Sequence, residues 1–314
     1  MDIAVTGATG FVGSALVQQH LQRGDSIRVL ARDPHATARR FPSVRVFRGD
    51  LTSAETIPEG FVADADVLYH CAAEGQDEAR MEATNIGGTR ALARLAAGKI
   101  GRWVQVSSVS VYGAVRAGTI TEDSPINPDS LYGRTKTESE AAVLAEGAAG
   151  GYEVTIVRPS KILGPGMPND SLFRLFAMME RGWFCFIGQP HAVMNLIHVD
   201  TVATALVLCG THRSAAGRTY NLSEQISIEE LVAIVADEIG VRRPTTRLPE
   251  QLFRVLASVF GRLPGVPLTH RRLDAVTLHA HFASERITRE LAHNPVVSLE
   301  AGLRELARSW KLTR

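Results

Sequence analysis

Residues 130–136 read SLYGRTK, which sets Tyr132 and Lys136 four positions apart, directly behind the turn-forming run PINPDS. On a helix, that separation stacks two side chains on one face. A phenol titrates at about 10 and is a poor base at neutral pH. An adjacent ammonium favours the phenolate, so the pair is suited to moving a proton at a reacting oxygen. Such a site also needs a group to orient that oxygen and a carrier for the electrons, and both must come from elsewhere in the chain.

A carrier site lies at the beginning of the sequence. VTGATGFVG spaces Gly7, Gly10 and Gly13 at threes between a short apolar strand and the helical pattern SALVQQHLQRG. The first glycine permits a tight turn, the second lets backbone approach a pyrophosphate, and the third lets helix pack on strand. Free N–H groups at the helix N-terminus then face the negative charge. Thr9, Phe11 and Val12 complete the loop that would contact the cofactor. At the end of the second strand, VLARDP places Arg32 where the adenosine ribose is read, with Asp33 next. An acidic residue there favours NAD, whereas an arginine suits the 2′-phosphate of NADP. Arg32 points to NADP, with NAD the alternative.

These residues need a scaffold, and the hydrophobic pattern supplies one. DIAV, SIRVLAR, VRVFRGD, ADVLYHCAA, RWVQVSSVSVYG and YEVTIVRPS read as six strands, separated by helical stretches that include TNIGGTRALARLAAG and YGRTKTESEAAVLAEGAAGG. Alternation of this kind predicts an α/β fold, a Rossmann-like doubly wound parallel sheet with right-handed crossovers. After about residue 164 the pattern changes. SLFRLFAMMERG reads as a helix, NLIHVDTVATALVLCG as a short strand and a helix returning to the sheet, and RTYNLS as a strand. SIEELVAIVADEIG is an amphipathic helix with a serine cap and a glutamate three residues on. We read residues 1–165 plus about 194–222 as the dinucleotide-binding unit. A smaller, discontinuous substrate unit takes about 166–193 and 223–314.

The 314 residues are 45% hydrophobic, enough for a large core, and 34 basic residues nearly balance 33 acidic ones. A general nucleic-acid binder would show a basic excess. Cys71, Cys185 and Cys209 are far apart and form no CxxC pair, which fits a reducing, cytoplasmic setting. No basic-then-apolar leader opens the sequence, and no apolar run reaches transmembrane length. QLFRVLASVFGRL, 251–263, is amphipathic and reads as a helix walling a pocket. His279 and His281 alternate in HAH but have no third ligand nearby, so no metal site is expected.

TGATGFVG, RGDL, VLYHCAA, TNIGGT, VSSVSVYG, YGRTK, RPSKILGPG and IHVDTVA follow the order seen in extended short-chain dehydrogenases/reductases, the NAD(P)-dependent epimerase/dehydratase group. The resemblance runs from residue 3 to about residue 310. It implies Tyr132 as the acid–base residue, Lys136 as its partner and Ser108, four before Tyr112, as the group that orients the reacting oxygen. It further implies Asp50 and Leu51 near the adenine, and Cys71, Ala72 and Ala73 along the cofactor cleft. Pro159 and its successors, Ile162 among them, would flank the nicotinamide, and Lys136 would also hold the ribose. His198 and Asp200 match a motif that positions the returning helix. A homodimer formed through the TNIGGT and YGRTK helices is also implied.

On the substrate side the sequence departs from nucleotide-sugar epimerases it resembles. RPSKILGPG has Lys161 where those enzymes often carry Asn, and Leu163 where they carry Tyr. AVMNLIHVD has Met194 and Asn195 where they often carry an arginine that grips a diphosphate. Lys161 can compensate as a point charge. The stretch 267–303 resembles the 3β-hydroxysteroid dehydrogenase and dihydroflavonol reductase branches, which take hydrophobic alcohols or ketones. Phe173, Phe176, Trp183 and Phe186 would supply an apolar wall, although Phe and Trp at such spacing also build cores. Ser108, Lys161, Phe173 and Asn195 are the expected substrate contacts. Three functions remain: a reductase or dehydrogenase interconverting a secondary alcohol and a ketone, a nucleotide-sugar epimerase or dehydratase with tightly held NAD, and a non-catalytic cofactor sensor. Retention of the Tyr–Lys pair disfavours the last, and Arg32 favours the first.

Overall fold

The computed structural model describes residues 1–168, 170–260, 273–274 and 277–312. Seven parallel strands form the larger sheet: β1 (Asp2–Thr6), β2 (Ser26–Ala31), β3 (Arg45–Arg48), β4 (Ala65–His70), β5 (Ile100–Val106), β7 (Glu153–Pro159) and β11 (Thr219–Leu222). Their order is β11-β7-β5-β4-β1-β2-β3. Strand order reverses at β1, which pairs with β2 on one side and β4 on the other, so a crevice opens at the carboxyl ends of β1 and β4.

Both faces of this sheet are covered, and the strands divide residue by residue. Ile3 and Val5 join the core beneath α1 (Phe11–Gln22) and α7 (Val199–Thr211). Ala4, between them, joins the opposite core beneath α4 (Thr89–Leu95) and α5 (Leu131–Gly150). Val67 and Tyr69 split from Leu68 in the same way. Alternate side chains of a strand point to opposite faces, so two apolar faces produce the near-continuous apolar runs seen in the sequence. Each large side chain fully buried in this way contributes roughly 1.5–3 kcal/mol.

A smaller sheet, β12-β10-β8, is built from β8 (Lys161–Leu163), β10 (Val193–His198) and β12 (Glu224–Ser227). α6 (Ser171–Glu180), α8 (Ile228–Ile239) and the helix Leu299–Leu312 pack around Leu163, Leu196, Phe176, Val235 and Leu306. α8 has the predicted cap, with Ser227 Oγ accepting from Glu230 N at 3.1 Å, and it ends at Gly240 in the left-handed conformation. Two short parallel pairs complete the lobe: β9 (Phe186–Ile187) with β13 (Arg247–Leu248), and β6 (Ala117–Ile120) with β14 (His279–Phe282).

The segment 194–222 contributes to both sheets. Its helix α7 and strand β11 return to the larger sheet, but its first strand, β10, pairs in the smaller one. Alternation explains this: Leu196 packs into the smaller core while Ile197, its neighbour, packs into the larger. The amphipathic stretch 251–263 forms α9 (Glu250–Phe260) as far as Phe260, and residues 261–263 lie outside the described residues.

Candidate active site

The glycine turn stands at the switch point. Gly7 has φ +69°, and a Cβ there would lie 2.6 Å from Ala72 N. A Cβ on Gly13 would lie 2.2 Å from Gly7 O, so α1 can sit on the turn only without a side chain. Gly10 N donates to Gly7 O at 2.9 Å, and no side chain caps α1. These features fit a dinucleotide pyrophosphate at the α1 N-terminus. Phe11 packs against the smaller core and Val12 against the larger, so the loop also ties the two lobes together.

A buried histidine braces this turn against β4. Thr89 Oγ1 donates to Asn85 O at 2.6 Å, so at 2.9 Å from His70 Nε2 it must accept. The proton of the ring is therefore on Nε2, and Nδ1 accepts from Thr6 Oγ1 at 2.7 Å. Thr6 Oγ1 in turn accepts from Ala72 N at 3.3 Å. Burial lowers the pKa of His70 to about 3, which keeps it neutral in this relay. Cys71 and Ala72 are half-buried and Ala73 is exposed along the cleft wall. Asn85 of TNIGGT, which the sequence reading gave no role, donates to Glu74 O and Thr135 Oγ1 and accepts from Glu74 N.

On the adenosine side, Arg32 is exposed immediately past β2. Asp33 is engaged as the cap of α2 (Pro34–Arg40), accepting from Ala36 N at 3.0 Å. Asp50 accepts from the N–H and hydroxyl of Thr52, both at 2.9 Å. The Thr52 N–H holds that carboxyl below its usual range, with Arg32 contributing. Leu51 is buried against Gly88, where a Cβ would come within 2.5 Å of Leu51 O. Arg40 was not anticipated. Its guanidinium donates to Thr9 O at 2.8 Å, which brings a second arginine to the glycine loop.

The Tyr–Lys helix begins where the sequence places it. Ser130 Oγ caps α5 by accepting from Gly133 N at 3.1 Å. A Cβ at Gly133 would lie 2.6 Å from Ser110 O, so the first turn of α5 lies directly on the turn that starts at Ser108. Ser108 is half-buried and accepts from Ser110 N at 3.2 Å. Lys136 is buried, with Nζ donating to Val106 O at 2.5 Å, two residues before Ser108. Tyr132 is half-buried, 3.8 Å from the Cβ position of Gly75.

Electrostatics here differ from the expectation. Burial pushes the Tyr132 phenol up to about 12, with no opposing charge. The Lys136 ammonium is turned to the Val106 carbonyl, and burial lowers it to about 8 while Glu140 and Cys71 draw it back up. The depressed phenol pKa inferred from the four-residue spacing is thus absent in this structure, because the ammonium is engaged on β5. Burial raises Cys71 to about 12, partly countered by Lys136.

A buried polar chain lies one turn further along α5. Arg158 Nε and Nη2 bond the two Glu140 oxygens at 3.0 and 2.6 Å, and Nη1 donates to Tyr112 Oη at 2.8 Å. Tyr112 donates to Asn221 Oδ1 at 2.8 Å. This chain fastens α5, the Ser108–Tyr112 turn, β7 and β11 to one another. Nothing in the local sequence pattern marks Glu140 and Arg158 as partners.

The expected substrate residues have mixed placements. Pro159 is buried at the end of β7, and Ile162 is half-buried against the larger core. Lys161 is half-buried, with Nζ donating to Ser171 Oγ at 3.1 Å. Asn195 does not fit a substrate contact: it is buried, donating to Ala280 O at 2.9 Å and accepting from Phe282 N. Its amide is spent on holding β14. Phe176 and Phe186 are core, Phe173 is half-buried against that core, and Trp183 is 71% exposed beneath Arg181. His198 caps α7, accepting from Asp200 N at 3.2 Å, in line with a structural role. His279 and His281 share one face of β14, and no group of three metal-ligating side chains occurs among the described residues. Of the stretch 267–303, residues 267–272 and 275–276 lie outside the described residues.

The reversal of strand order with a glycine turn beside it defines a Rossmann protein of the short-chain dehydrogenase type. The chain belongs to the NAD dependent epimerase/dehydratase family, whose model matches residues 3–223. It is 29% identical to a dTDP-glucose 4,6-dehydratase of Streptomyces griseus, over 96% of this chain and 91% of that protein. It is also 29% identical to a 3 beta-hydroxysteroid dehydrogenase/Delta 5-->4-isomerase of Mycobacterium tuberculosis, over 96% and 88%. The UDP-glucuronic acid 4-epimerase of Bacillus cereus, solved in complex with NAD, superposes with a TM-score of 0.77 at 22% identity, covering 99% of this chain and 97% of that one. No described helix is long and apolar enough to cross a membrane.

Proposed function

We propose that the protein is an NAD(P)-dependent oxidoreductase that interconverts a secondary alcohol and a ketone, acting as a reductase. The observation that supports this reading is that Lys136 is bonded to Val106 O at the end of β5, while the first turn of α5, which carries Tyr132, lies on the turn that starts at Ser108. The bound dinucleotide supplies the hydride carrier. A phenol held at about 12 is protonated at neutral pH, which suits Tyr132 to donating a proton to a carbonyl oxygen that is being reduced. Ser108 holds that oxygen, and Lys136, bonded to the Val106 carbonyl, fastens the helix of Tyr132 to the end of β5. Arg32 and Arg40 at the adenosine end, with Asp33 occupied as a helix cap, support a preference for NADP.

A second reading, a nucleotide-sugar epimerase or dehydratase, is favoured by the names of the relatives. It uses the same three residues but retains its cofactor through the cycle. Titration of the purified protein with NADPH and NADH separates the two: exchangeable binding with NADPH preferred supports the reductase, and tightly carried NAD supports the epimerase or dehydratase. Tyr132→Phe is expected to lower hydride transfer by at least about a hundredfold while leaving cofactor affinity within about threefold. Turnover within tenfold of the parent would remove Tyr132 from the proton path.

A further inference from the structure

A single file of hydrogen bonds runs through the interior from the glycine turn to the helix of Tyr132. It starts at Ala72, whose N–H donates to Thr6 Oγ1 at 3.3 Å. Thr6 Oγ1 donates to His70 Nδ1 at 2.7 Å, and His70 Nε2 donates to Thr89 Oγ1 at 2.9 Å. Thr89 spends its own proton on Asn85 O at 2.6 Å. The Asn85 amide has one orientation, because its oxygen accepts from Glu74 N at 2.7 Å and its nitrogen donates to Glu74 O at 2.9 Å. That nitrogen gives its second proton to Thr135 Oγ1 at 3.0 Å, and Thr135 donates onward to Tyr132 O at 3.0 Å. Every donor in the file points away from the glycine turn, and each hydroxyl proton is used within it.

Nothing in the surroundings can stand in for a missing link. Thr6, His70, Thr89 and Thr135 are each 1% exposed and Asn85 is 2% exposed. Bulk water does not reach them, so a broken bond leaves two buried polar groups unpaired. Asn85 sits in a π-helical turn, Ala83–Gly88, a rare geometry that recurs at functional sites. The ends of the file are the two halves of the site. At one end, a Cβ at Gly7 would lie 2.6 Å from Ala72 N, so the glycine turn rests on the first link. At the other, Tyr132 O belongs to the first turn of α5, where Gly133 lies against Ser110 O. Linked donors polarise one another, which makes a file of this kind respond as a unit.

We propose that His70 is a positioning residue: through Thr89, Asn85 and Thr135 it carries the placement of the glycine turn to the backbone of Tyr132, so that one buried structure sets both the cofactor loop and the proton donor. This rests on the reading of Tyr132 as that donor. Coupling between two sites is reciprocal. A break beside Tyr132 must therefore be felt by the dinucleotide, and a break beside the glycine turn must be felt by Tyr132. A histidine that served only the local packing of β4 would produce neither effect.

The test uses the full chain carrying tyrosine labelled with carbon-13 at Cζ, which gives one resonance for each of its five tyrosines. The Tyr132 resonance is the one lost in Tyr132→Phe. NADPH affinity is measured alongside by cofactor fluorescence. His70→Phe keeps a ring and removes both bonds. It is expected to shift the Tyr132 resonance more than those of Tyr152 and Tyr220, and to weaken NADPH about fivefold. His70→Gln keeps a neutral donor for Thr89 and is expected to recover most of both losses. Thr135→Val removes the last link and leaves His70 in place. It should also weaken NADPH about fivefold, and His70→Phe combined with Thr135→Val should weaken it no further than either alone. An unmoved Tyr132 resonance in His70→Phe, parent-like NADPH affinity in Thr135→Val, or losses that add in the double variant would each overturn the proposal. The Thr135→Val measurement stands even where His70→Phe does not fold. None of these readings needs turnover. Tyr132→Phe keeps the carbonyl that ends the file, so its turnover tests the proton-donor reading alone and the two fail separately.

Discussion

Arg158 and Lys161 are three residues apart at the junction of β7 and β8, and both take positive charge into the protein. Arg158 is saturated. Its guanidinium meets a carboxylate through two bonds and a phenol through a third, and its pKa is raised, with Glu140 outweighing burial. Lys161 meets a single hydroxyl, and its pKa is lowered by burial. The first charge is consumed by the fold, fastening the helix of Tyr132 to the strand of Pro159. The second is left with that hydroxyl. Burial by itself therefore does not say what a charge does; the state of its partners does.

The sharpest way to break this contrast is to remove the saturated cation. Arg158→Ala strands Glu140 in the interior and is expected to cost about 3–5 kcal/mol, read by urea unfolding. A loss below about 1 kcal/mol would mean that the pair does not hold α5 to β7.

A smaller effect is expected from pH. Burial lowers Lys136 from its usual 10.5 to about 8, so between those values the unfolded chain binds more protons than the folded one. Stability from this group must rise with pH across that window, by at most about 1.4 kcal/mol per pH unit. Lys161, also lowered, adds with the same sign, whereas Arg158 stays charged throughout. Tyr132, raised from 10 to about 12, acts oppositely above pH 10, where the unfolded phenol ionises first. Burial also raises the Cys71 and Cys209 thiols above their usual 9.0, so they oppose the rise as pH approaches 9. Unfolding free energies measured from pH 7 to about 8.5 should show the rise, and Lys161→Met should make it shallower. A flat profile would contradict the lowering of the Lys136 ammonium by burial.

The smallest effect concerns stability after removal of the unsaturated cation. Lys161→Met should leave the protein unchanged or stabilise it by about 1 kcal/mol, since no buried carboxylate is left behind. Destabilisation beyond about 2 kcal/mol in the same urea titration would mean that Lys161 serves the fold, as Arg158 does.

Much of the scaffold was legible because it depends on local pattern. The glycine spacing, the apolar runs of strands buried on both faces, and the Ser227 cap all lie within short windows, and each appears where its pattern predicts. The departures come from pairings between distant segments. Asn195 looked available in the sequence, but its partners, Ala280 and Phe282, lie some eighty-five residues away. Arg40 could not be linked to Thr9 from spacing, because their contact depends on how α2 returns over the glycine turn. The Tyr132–Lys136 spacing correctly gives one helix face, but the direction of the ammonium is set by the Val106 carbonyl on another element.

By itself, then, the sequence determined the glycine turn at the first strand, the alternation that yields a doubly wound sheet, and the residue types at the site. Those follow from backbone sterics and the periods of strand and helix, which act over a few residues. Only the tertiary structure decided which charges are satisfied: that Glu140 neutralises Arg158, that Lys136 turns to β5, and that Lys161 is left with a hydroxyl. Electrostatic energy depends on distances and desolvation between segments far apart in the chain, and those distances exist only once the lobes have packed.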